Sequence, residues 1–329
     1  MDVDVQYGTG GARGDLAGRG LAAALASGYR SFDCAPRYRN QRELGFADAL
    51  HTSMVDRRCV SITSKLWSTC HEPTLVRPAC CASIAELLVG CEGSFLDLYL
   101  MHSPVALAFT GWDLDPFVPR EGDTAGGLVC RGTTPLASTW RAMLQLRDDG
   151  LIKAAGVSNF STSALDALDD DGECGDAAHR TTRPVCNHVE LHPLLPQHVF
   201  TSQMKARGIV TVAFSPLGSP AKGKSNVLDL PVLQSIADRL CAEPCSDGSA
   251  GRRVTAAQVA LAWNLRRGIS VIPHSTVPAQ IAENREALAL VPLLTEADVR
   301  AIDQLTYNQP RCRTLRYDWL PFHEEDSLF

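Results

Sequence analysis

Residues 28–45 read GYRSFDCAPRYRNQRELG and contain the clearest structural and chemical signal in this chain. The apolar and aromatic residues at 29–32 predict a short strand that ends at the acid Asp33. A loop carrying Tyr38 follows, and the polar start of the next segment predicts a helix that begins near Asn40. A carboxylate at a strand end with a phenol five residues later suits chemistry better than packing. The pattern therefore predicts further reactive groups at the ends of later strands.

Composition and charge narrow the class of protein. The chain has 329 residues, of which 45% are hydrophobic and 21% charged, as in a globular protein with an ample core. A net charge of −6 argues against nucleic acid or an acidic membrane as the main partner. There is no run of 18 apolar residues, and the first residues lack the basic and apolar regions of a secretory signal, so neither a membrane span nor secretion is expected.

The twelve cysteines do not resemble a disulfide framework, because they are scattered and form no C-x-x-C pair. Reduced thiols are typical of the cytosol, so a cytoplasmic location is expected. The sequence shows no heptad pattern or large apolar surface that would require a partner chain, so a monomer acting on a small molecule is expected.

Short apolar runs alternate with helical patterns along the chain. The apolar runs predict eight strands, at 2–8, 29–32, 60–65, 96–102, 152–158, 185–190, 210–214 and 270–273. Helices are predicted after them, at 16–27, from 40, and at 72–89, 136–148, 161–168, 197–206, 228–240, 255–266 and 278–288, with an additional helix at 296–305. Such alternation implies parallel strands joined by crossovers. Eight units predict an α/β fold, a (β/α)8 TIM barrel in a single domain over 1–329, with a C-terminal tail at 307–329.

The long segment 105–134, after the fourth strand, breaks this alternation. It is rich in Gly, Pro and Asp and has no clear period. Loops of this length are uncommon in compact domains and are usually functional or disordered. Because it directly follows the predicted strand end at His102, we expect an active-site loop that covers the site.

Four candidate catalytic residues follow neighbouring strands. Asp33 and Tyr38 follow the second strand, and Lys65 and His102 end the third and fourth. The carboxyl ends of barrel strands face one mouth, so these side chains are expected to converge. Each alone has an ordinary structural explanation, such as a cap, a packing ring or a solvated charge. Four such coincidences at adjacent strand ends are much less probable than one.

The chemistry of the four groups suits protonation of an oxygen. A tyrosine has a reference pKa of about 10, and a nearby lysine ammonium is expected to lower it. An aspartate would keep that ammonium charged, and a neutral histidine can orient a carbonyl by a hydrogen bond. Tyr38, Lys65, Asp33 and His102 therefore predict the reduction of an aldehyde or ketone, with the hydride supplied by a cofactor.

Two other classes of enzyme share part of this pattern. A dinucleotide-binding Rossmann unit would need G-x-G-x-x-G after the first strand, but Arg13 stands where the third glycine belongs after Gly8 and Gly10. A metal-dependent hydrolase could use the alternating side chains of His188, Glu190 and His192. No further ligands stand at a workable spacing, so no metal is predicted.

Eight motifs together resemble the aldo-keto reductase family, specifically the branch with aldose and aldehyde reductases. They are GYRSFDCAPRYRN, SKLWSTCHE, LDLYLMHSP, GVSNF, NHVELHP, FSPLGSP, VIPHSTVPAQIAEN and PFHEE, in family order over almost the whole chain. The resemblance implies a (β/α)8 barrel that reduces aldehydes and ketones with NADPH or NADH. It also implies that Tyr38 is the proton donor, that Lys65 and Asp33 tune it, and that His102 orients the carbonyl.

The resemblance further implies a set of cofactor contacts. Ser158, Asn159 and His188 would hold the nicotinamide carboxamide, and Phe214 would stack on the ring. The loop with Ser215, Leu217 and Ser219 would clamp the pyrophosphate. The remaining contacts would come from Thr9 and Asp33 and, toward the adenosine end, from His274, Ser275, Thr276, Gln280, Glu283 and Asn284.

The chain departs from the family pattern at several of these positions. His188 and Phe214 stand where glutamine and tyrosine are common, and both substitutions are expected to preserve binding. His274 and Gln280 replace a lysine and an arginine at the adenosine phosphate, whose charge of roughly −1.5 to −2 they compensate poorly. A weakened NADPH preference is therefore expected, with NADH a competitor. Gly10 and Ser103 stand where tryptophans often wall the pocket, which predicts a wider pocket.

These departures leave a second function open. The same barrel could hold a nicotinamide cofactor as a redox sensor or regulatory subunit without efficient catalysis. Turnover of a carbonyl substrate distinguishes the two functions.

Overall fold

The computed structural model of the chain describes residues 3–90, 95–109, 111–112, 132–168, 182–218, 226–243, 253–307 and 313. Within these ranges, eight strands form one sheet in sequence order, and all adjacent pairs are parallel. The strands are β1 (Tyr7–Gly8), β2 (Ser31–Asp33), β3 (Ser61–Leu66), β4 (Leu96–Met101), β5 (Ile152–Ser158), β6 (Cys186–Glu190), β7 (Val210–Phe214) and β8 (Ser270–Ile272).

The sheet closes on itself between its first and last strands. Val5 forms a parallel bridge with Val271, the Gln6 amide donates to the Val271 carbonyl at 2.8 Å, and the Gly8 amide donates to the Pro273 carbonyl at 3.0 Å. These bonds join the edges that would otherwise be exposed. The predicted (β/α)8 barrel is therefore confirmed.

Helices connect successive strands and cover the outside of the barrel. In the described ranges they are α1 (Asp15–Ala26), α2 (Phe46–Thr52), α3 (Pro73–Leu87), α4 (Leu136–Asp148), α5 (Thr162–Asp166), α6 (His198–Ala206), α7 (Pro231–Ala242), α8 (Ala256–Arg266), α9 (Pro278–Leu290) and α10 (Glu296–Asp303). None of them combines the length and the apolar character that a membrane span requires.

The predicted helix start near Asn40 is wrong. The structure has a short 3-10 turn at Pro36–Tyr38 and begins the α-helix only at Phe46. Asn40 is buried, and its side-chain amide donates to the carbonyls of Thr9 (2.7 Å) and Ala12 (3.0 Å), which ties this segment to the β1–α1 loop. Gly45, with φ of 60°, then supplies a left-handed residue immediately before the helix.

The barrel has two apolar layers. Between the strands and the surrounding helices lies a large buried cluster that includes Phe32 and Trp263. A smaller cluster of Leu100, Cys186, Val212 and Ile272 lies on the strand faces that point to the barrel axis. Because side chains alternate along a strand, residues two positions further on point the same way, into the mouth above this cluster. The core thus forms the floor of the site.

The replacement Gly156→Ala is expected to lower the free energy of unfolding by about 1–3 kcal/mol, because it overpacks this inner cluster. A Cβ at Gly156 would lie 2.7 Å from Leu100 Cδ2 and 2.8 Å from Cys186 Sγ. Urea unfolding measures the change. Gly10→Ala is the matched control, since its Cβ would meet the Tyr38 ring at an ordinary 3.4 Å. Equal losses in the two variants would contradict the overpacking explanation.

Two predicted segments lie mostly outside the described residues. Of the 105–134 loop, the structure describes 105–109, 111–112 and 132–134, and of the 307–329 tail it describes Tyr307 and Arg313. The described base of the loop is held by hydrogen bonds from the Leu107 amide to the Ser68 carbonyl and from the Gly132 amide to the Ala106 carbonyl, each 2.9 Å. Two expectations therefore stay predictions. One is that this loop covers the site, and the other is that a single domain extends over 1–329.

Candidate active site

A cavity of about 570 Å³ opens at the carboxyl ends of the strands. This is the mouth where (β/α)8 enzymes place their chemistry. Eleven of the residues predicted to act in catalysis or to bind the cofactor line it: Asp33, Tyr38, Lys65, His102, Ser158, Asn159, His188, Phe214, Ser215, Leu217 and His274.

Asp33 and Lys65 form a buried ion pair at the ends of β2 and β3. Lys65 Nζ lies 2.6 Å from Asp33 Oδ2 and also donates to the Cys34 carbonyl at 3.0 Å. Burial on its own would raise the pKa of the Asp33 carboxyl and lower that of the Lys65 ammonium. The opposite charges outweigh burial, so the pKa of Asp33 falls below its usual range and that of Lys65 rises above its own. Both groups are therefore charged at neutral pH.

Tyr38 lies at the end of the 3-10 turn, with its hydroxyl against this ion pair. Lys65 Nζ donates to Tyr38 Oη at 3.0 Å, and the hydroxyl donates to Asp33 Oδ2 at 3.3 Å. Burial, together with the Asp33 charge, raises the pKa of Tyr38 to about 12, although Lys65 opposes the rise. From the sequence, Lys65 was expected to lower the pKa of Tyr38 overall, and this expectation is wrong. In the structure the phenol instead keeps its proton at neutral pH.

His102 follows β4 and stands beside the phenol. Its ring packs edge-to-face on Tyr38, with centroids 6.2 Å apart, and on Trp67, with centroids 5.2 Å apart. Its backbone is held by a bond from its amide to the Leu66 carbonyl (3.0 Å) and one from Asn159 Nδ2 to its carbonyl (2.9 Å). Burial, and then the Lys65 charge, hold the pKa of His102 well below its ordinary value. The imidazole is therefore neutral and able to donate a hydrogen bond.

The residues predicted to hold the nicotinamide surround the same cavity. Ser158 Oγ and the Asn159 amide both donate to the His188 carbonyl, at 3.1 and 2.8 Å. Asn159 and Ser215 have left-handed backbones, with φ of 63° and 47°, which turn the chain at the ends of β5 and β7. Phe214 presents its ring to the cavity. Ser219 lies outside the described residues.

The predicted adenosine contacts are not gathered in this cavity. His274 lines it, and its Nδ1 donates to the Gly8 carbonyl at 2.8 Å. The residues that follow do not line it: Ser275, Thr276, Gln280, Glu283 and Asn284. Thr9 does not line it either, since it is buried and donates from Oγ1 to the Asp33 carbonyl at 2.9 Å.

Three further residues of the cavity were not predicted from the sequence. Trp67 lines the cavity and carries the Arg37 guanidinium over its ring, 5.6 Å from the centroid, and Arg313 also lines the cavity. The sequence positions of Trp67 and Arg37 could have indicated their place in the site. Trp67 stands two residues after Lys65, and Arg37 directly precedes Tyr38.

The two positions where tryptophans were expected to be missing lie at the cavity, and the wider pocket that they predict stays a prediction. Gly10 and Ser103 line the cavity, whereas Phe109 and Trp112 of the long loop do not. Phe109 and Trp112 instead contact each other, with ring centroids 5.3 Å apart. Phe117, a third aromatic residue of this loop, lies outside the described residues.

The metal alternative finds no support in the described part of the chain, where no group of three or more His, Cys, Asp or Glu side chains could hold an ion. His192 Nε2 lies 3.1 Å from Glu190 Oε1. His188 instead faces Asp33, with 3.4 Å between Nδ1 and Oδ1. His188 and Glu190 of β6 therefore belong to two separate pairs.

Comparison with known proteins places the chain in a family. Residues 6–306 match the family model described as Aldo/keto reductase family. The chain belongs to the aldo/keto reductase family. The resemblance found in the sequence motifs is thereby confirmed.

Similar proteins support this aldo-keto reductase assignment. Aldo-keto reductase family 1 member A1-A of Danio rerio is 36% identical over 297 residues, 88% of this chain and 82% of that protein. Aldose reductase B of Dictyostelium discoideum is 32% identical and covers 95% of this chain and 92% of its own. A solved aldose reductase from Giardia lamblia is 30% identical, with a TM-score of 0.79 and 95% of each chain covered. The protein is therefore an oxidoreductase, and its family supports a nicotinamide cofactor and a small carbonyl substrate.

Proposed function

We propose that this aldo-keto reductase reduces aldehydes or ketones to alcohols with NADPH or NADH, and that Tyr38 is its proton donor. The observation that carries the proposal is the position of Tyr38 Oη, 3.0 Å from Lys65 Nζ, beside the neutral His102 ring in an open cavity. A protonated phenol next to a permanent cation suits an oxygen on which negative charge develops.

The residues of the cavity fit a nicotinamide group. Phe214 offers an aromatic face, and the buried His188 ring has an Nε2 atom with no hydrogen-bond partner among the described residues. Ser158 and Asn159 add polar side chains beside it. When bound, the reduced cofactor supplies the hydride.

Each catalytic side chain has a separate task in the proposed reaction. His102 orients the carbonyl oxygen by donating a hydrogen bond. Tyr38 gives its proton to that oxygen, and the Lys65 ammonium stabilises the phenolate left behind. Asp33 keeps the ammonium charged inside the protein, since an isolated buried lysine would tend to lose its proton.

A turnover screen tests this proposal. Oxidation of NADPH and NADH is followed by absorbance with 4-nitrobenzaldehyde and phenanthrenequinone as substrates, and cofactor binding is followed separately by fluorescence. Turnover with either pair supports the enzyme. Tight cofactor binding without turnover of any carbonyl would instead support the redox-sensor function.

The wild-type protein is expected to use NADH within about a thousandfold of NADPH. His274 Nδ1 donates to the Gly8 carbonyl at 2.8 Å, and Gln280 Oε1 accepts from Ser275 Oγ at 2.7 Å. Neither side chain carries the permanent positive charge that a lysine or an arginine would offer to a 2′-phosphate. The double variant H274K/Q280R is expected to lower the Kd of NADPH about tenfold or more, since charged hydrogen bonds contribute about 1.5–3 kcal/mol.

Fluorescence titration at low salt measures both affinities, because screening weakens exposed charge pairs. The Kd of NADH serves as the control and is expected to stay the same in the double variant. A wild-type preference for NADPH above a thousandfold would contradict this account of His274 and Gln280.

We also propose that the protein is a monomer in the cytoplasm, with a small carbonyl compound as its partner. The seven described cysteines are all free, in keeping with a reducing compartment. Light scattering in solution tests the monomer.

A further inference from the structure

Asp33 has two carboxylate oxygens, and they have different surroundings. Oδ2 accepts from both Lys65 Nζ and the Tyr38 hydroxyl. Oδ1 is buried and has no well-formed hydrogen bond among the described residues. The atom that faces it is His188 Nδ1, 3.4 Å away. A buried, charged oxygen that accepts no hydrogen bond lowers the stability of the folded protein. A hydrogen bond from His188 Nδ1 would offset this loss.

His188 is fixed in this position by its own backbone. It pairs with Ser158 of β5 and Val212 of β7, and its carbonyl accepts from both Ser158 Oγ and the Asn159 amide. Its side chain is 1% exposed and lines the cavity. A rigid, buried imidazole on β6 can therefore hold a neighbouring carboxylate in a defined geometry.

We propose that His188 is a positioning residue for the proton donor, holding Asp33 Oδ1 through Nδ1–H while its Nε2 accepts a hydrogen bond from a ligand in the cavity. The inference rests on the proposed function for the identity of that ligand group. An amide NH2, as in a carboxamide, has the matching donor chemistry.

The pairing explains how β6 acts on Tyr38 without touching it. With Oδ1 held by His188, Oδ2 stays directed at Lys65 and Tyr38. Loss of the Nδ1 donor would free the carboxylate to rotate and weaken its hold on the ammonium. The positions of the Asp33 and Lys65 charges relative to the Tyr38 hydroxyl would then change. This would change the pKa of Tyr38 and the rate at which it donates its proton.

Burial favours a neutral His188 ring and outweighs the opposing effect of the Asp33 carboxylate on its pKa. Burial lowers the pKa of His188 most, and the Lys65 ammonium lowers it as well, whereas Asp33 raises it. Two further titratable groups line the cavity nearby, His102 and Glu190, and the latter pairs with His192. A neutral ring has one N–H group. Because the Asp33 carboxylate lies next to Nδ1, the proton is placed on Nδ1. Nε2 is therefore the acceptor.

Two variants separate the functions of the two ring nitrogens. In H188N the amide nitrogen can occupy the place of Nδ1, and in H188Q the longer side chain reaches the place of Nε2. H188Q is expected to lower kcat about tenfold and to shift the pH profile of kcat, because Asp33 loses its donor. H188N is expected to raise the KM of the cofactor about tenfold, with a smaller fall in kcat and an unshifted pH profile. The proposal would be overturned if H188N shifted the pH profile and H188Q mainly raised the KM of the cofactor. It would also be overturned if both variants changed kcat, KM and the pH profile in the same way.

The tautomer itself is measured in the wild-type protein without cofactor. Imidazole ¹⁵N shifts, assigned by comparison with H188Q, are expected to show a protonated Nδ1 and an unprotonated Nε2 at neutral pH. A protonated Nε2 would overturn the proposal even if both variants lost activity through misfolding. Failure of the proposed function would appear differently, as full turnover in Y38F with the His188 tautomer unchanged.

Discussion

Tyr38→Phe is expected to lower kcat for carbonyl reduction by about a hundredfold to ten-thousandfold, the usual contribution of a positioned general acid. The phenyl ring keeps the shape of the cavity wall and its contact with His102. Only the hydroxyl between Lys65 and Asp33 is lost, and those two residues remain paired at 2.6 Å. The fold and the affinity for cofactor are therefore expected to be unchanged.

Steady-state kinetics at saturating cofactor measure the loss in Y38F, and fluorescence titration measures its cofactor affinity. Tyr29→Phe is the matched control, because Tyr29 is also buried and its hydroxyl donates to the Ile281 carbonyl at 3.0 Å, away from the cavity. Y29F is expected to keep its kcat. A fall in kcat of less than tenfold in Y38F would exclude Tyr38 as the proton donor.

Lys65→Met is expected to lower the free energy of unfolding by about 3–5 kcal/mol and to abolish measurable turnover. Removing one partner of a buried ion pair leaves the other charge uncompensated, and this accounts for the large loss of stability. The side chains of Lys65 and Asp33 are 3% and 4% exposed, so water cannot replace the ammonium. Urea unfolding at neutral pH measures the loss.

The pH dependence of stability tests whether the uncompensated Asp33 charge causes the loss of stability in K65M. In the wild type the pKa of Asp33 is lowered on folding, so its contribution is present above the unfolded value of about 3.9 and is lost as pH falls below it. In K65M burial dominates and raises the folded pKa instead, so stability is gained as pH falls. The deficit of K65M relative to wild type is therefore expected to be smaller at pH 4 than at pH 7.

Two further variants complete this comparison. D33N/K65M removes the stranded charge and is expected to recover part of the lost stability at neutral pH. Lys153→Met removes a lysine that is 58% exposed and 2.8 Å from Asp97, and is expected to cost less than about 1 kcal/mol. Equal stability of K65M and D33N/K65M would contradict the account based on a buried charge.

Local patterns in the sequence predicted most of the barrel. The ranges of α4, β5 and β7 agree with the predicted segments residue for residue, because each is a single apolar or amphipathic run with clear ends. The start of α2 was mispredicted, because the side chain of Asn40 bonds to the distant β1–α1 loop instead of opening a helix. Such a contact is invisible to periodicity.

By itself the sequence determined the order of strands and helices and the residue types at each strand end, from which the convergence of Asp33, Tyr38, Lys65 and His102 followed. These are properties of short segments, so neighbouring residues suffice to predict them. Only the tertiary structure decided that burial raises the pKa of Tyr38 to about 12 and that His188 faces Asp33 Oδ1. Both depend on desolvation and on distances between separate strands, because the energy of a buried charge is set by all the groups that surround it.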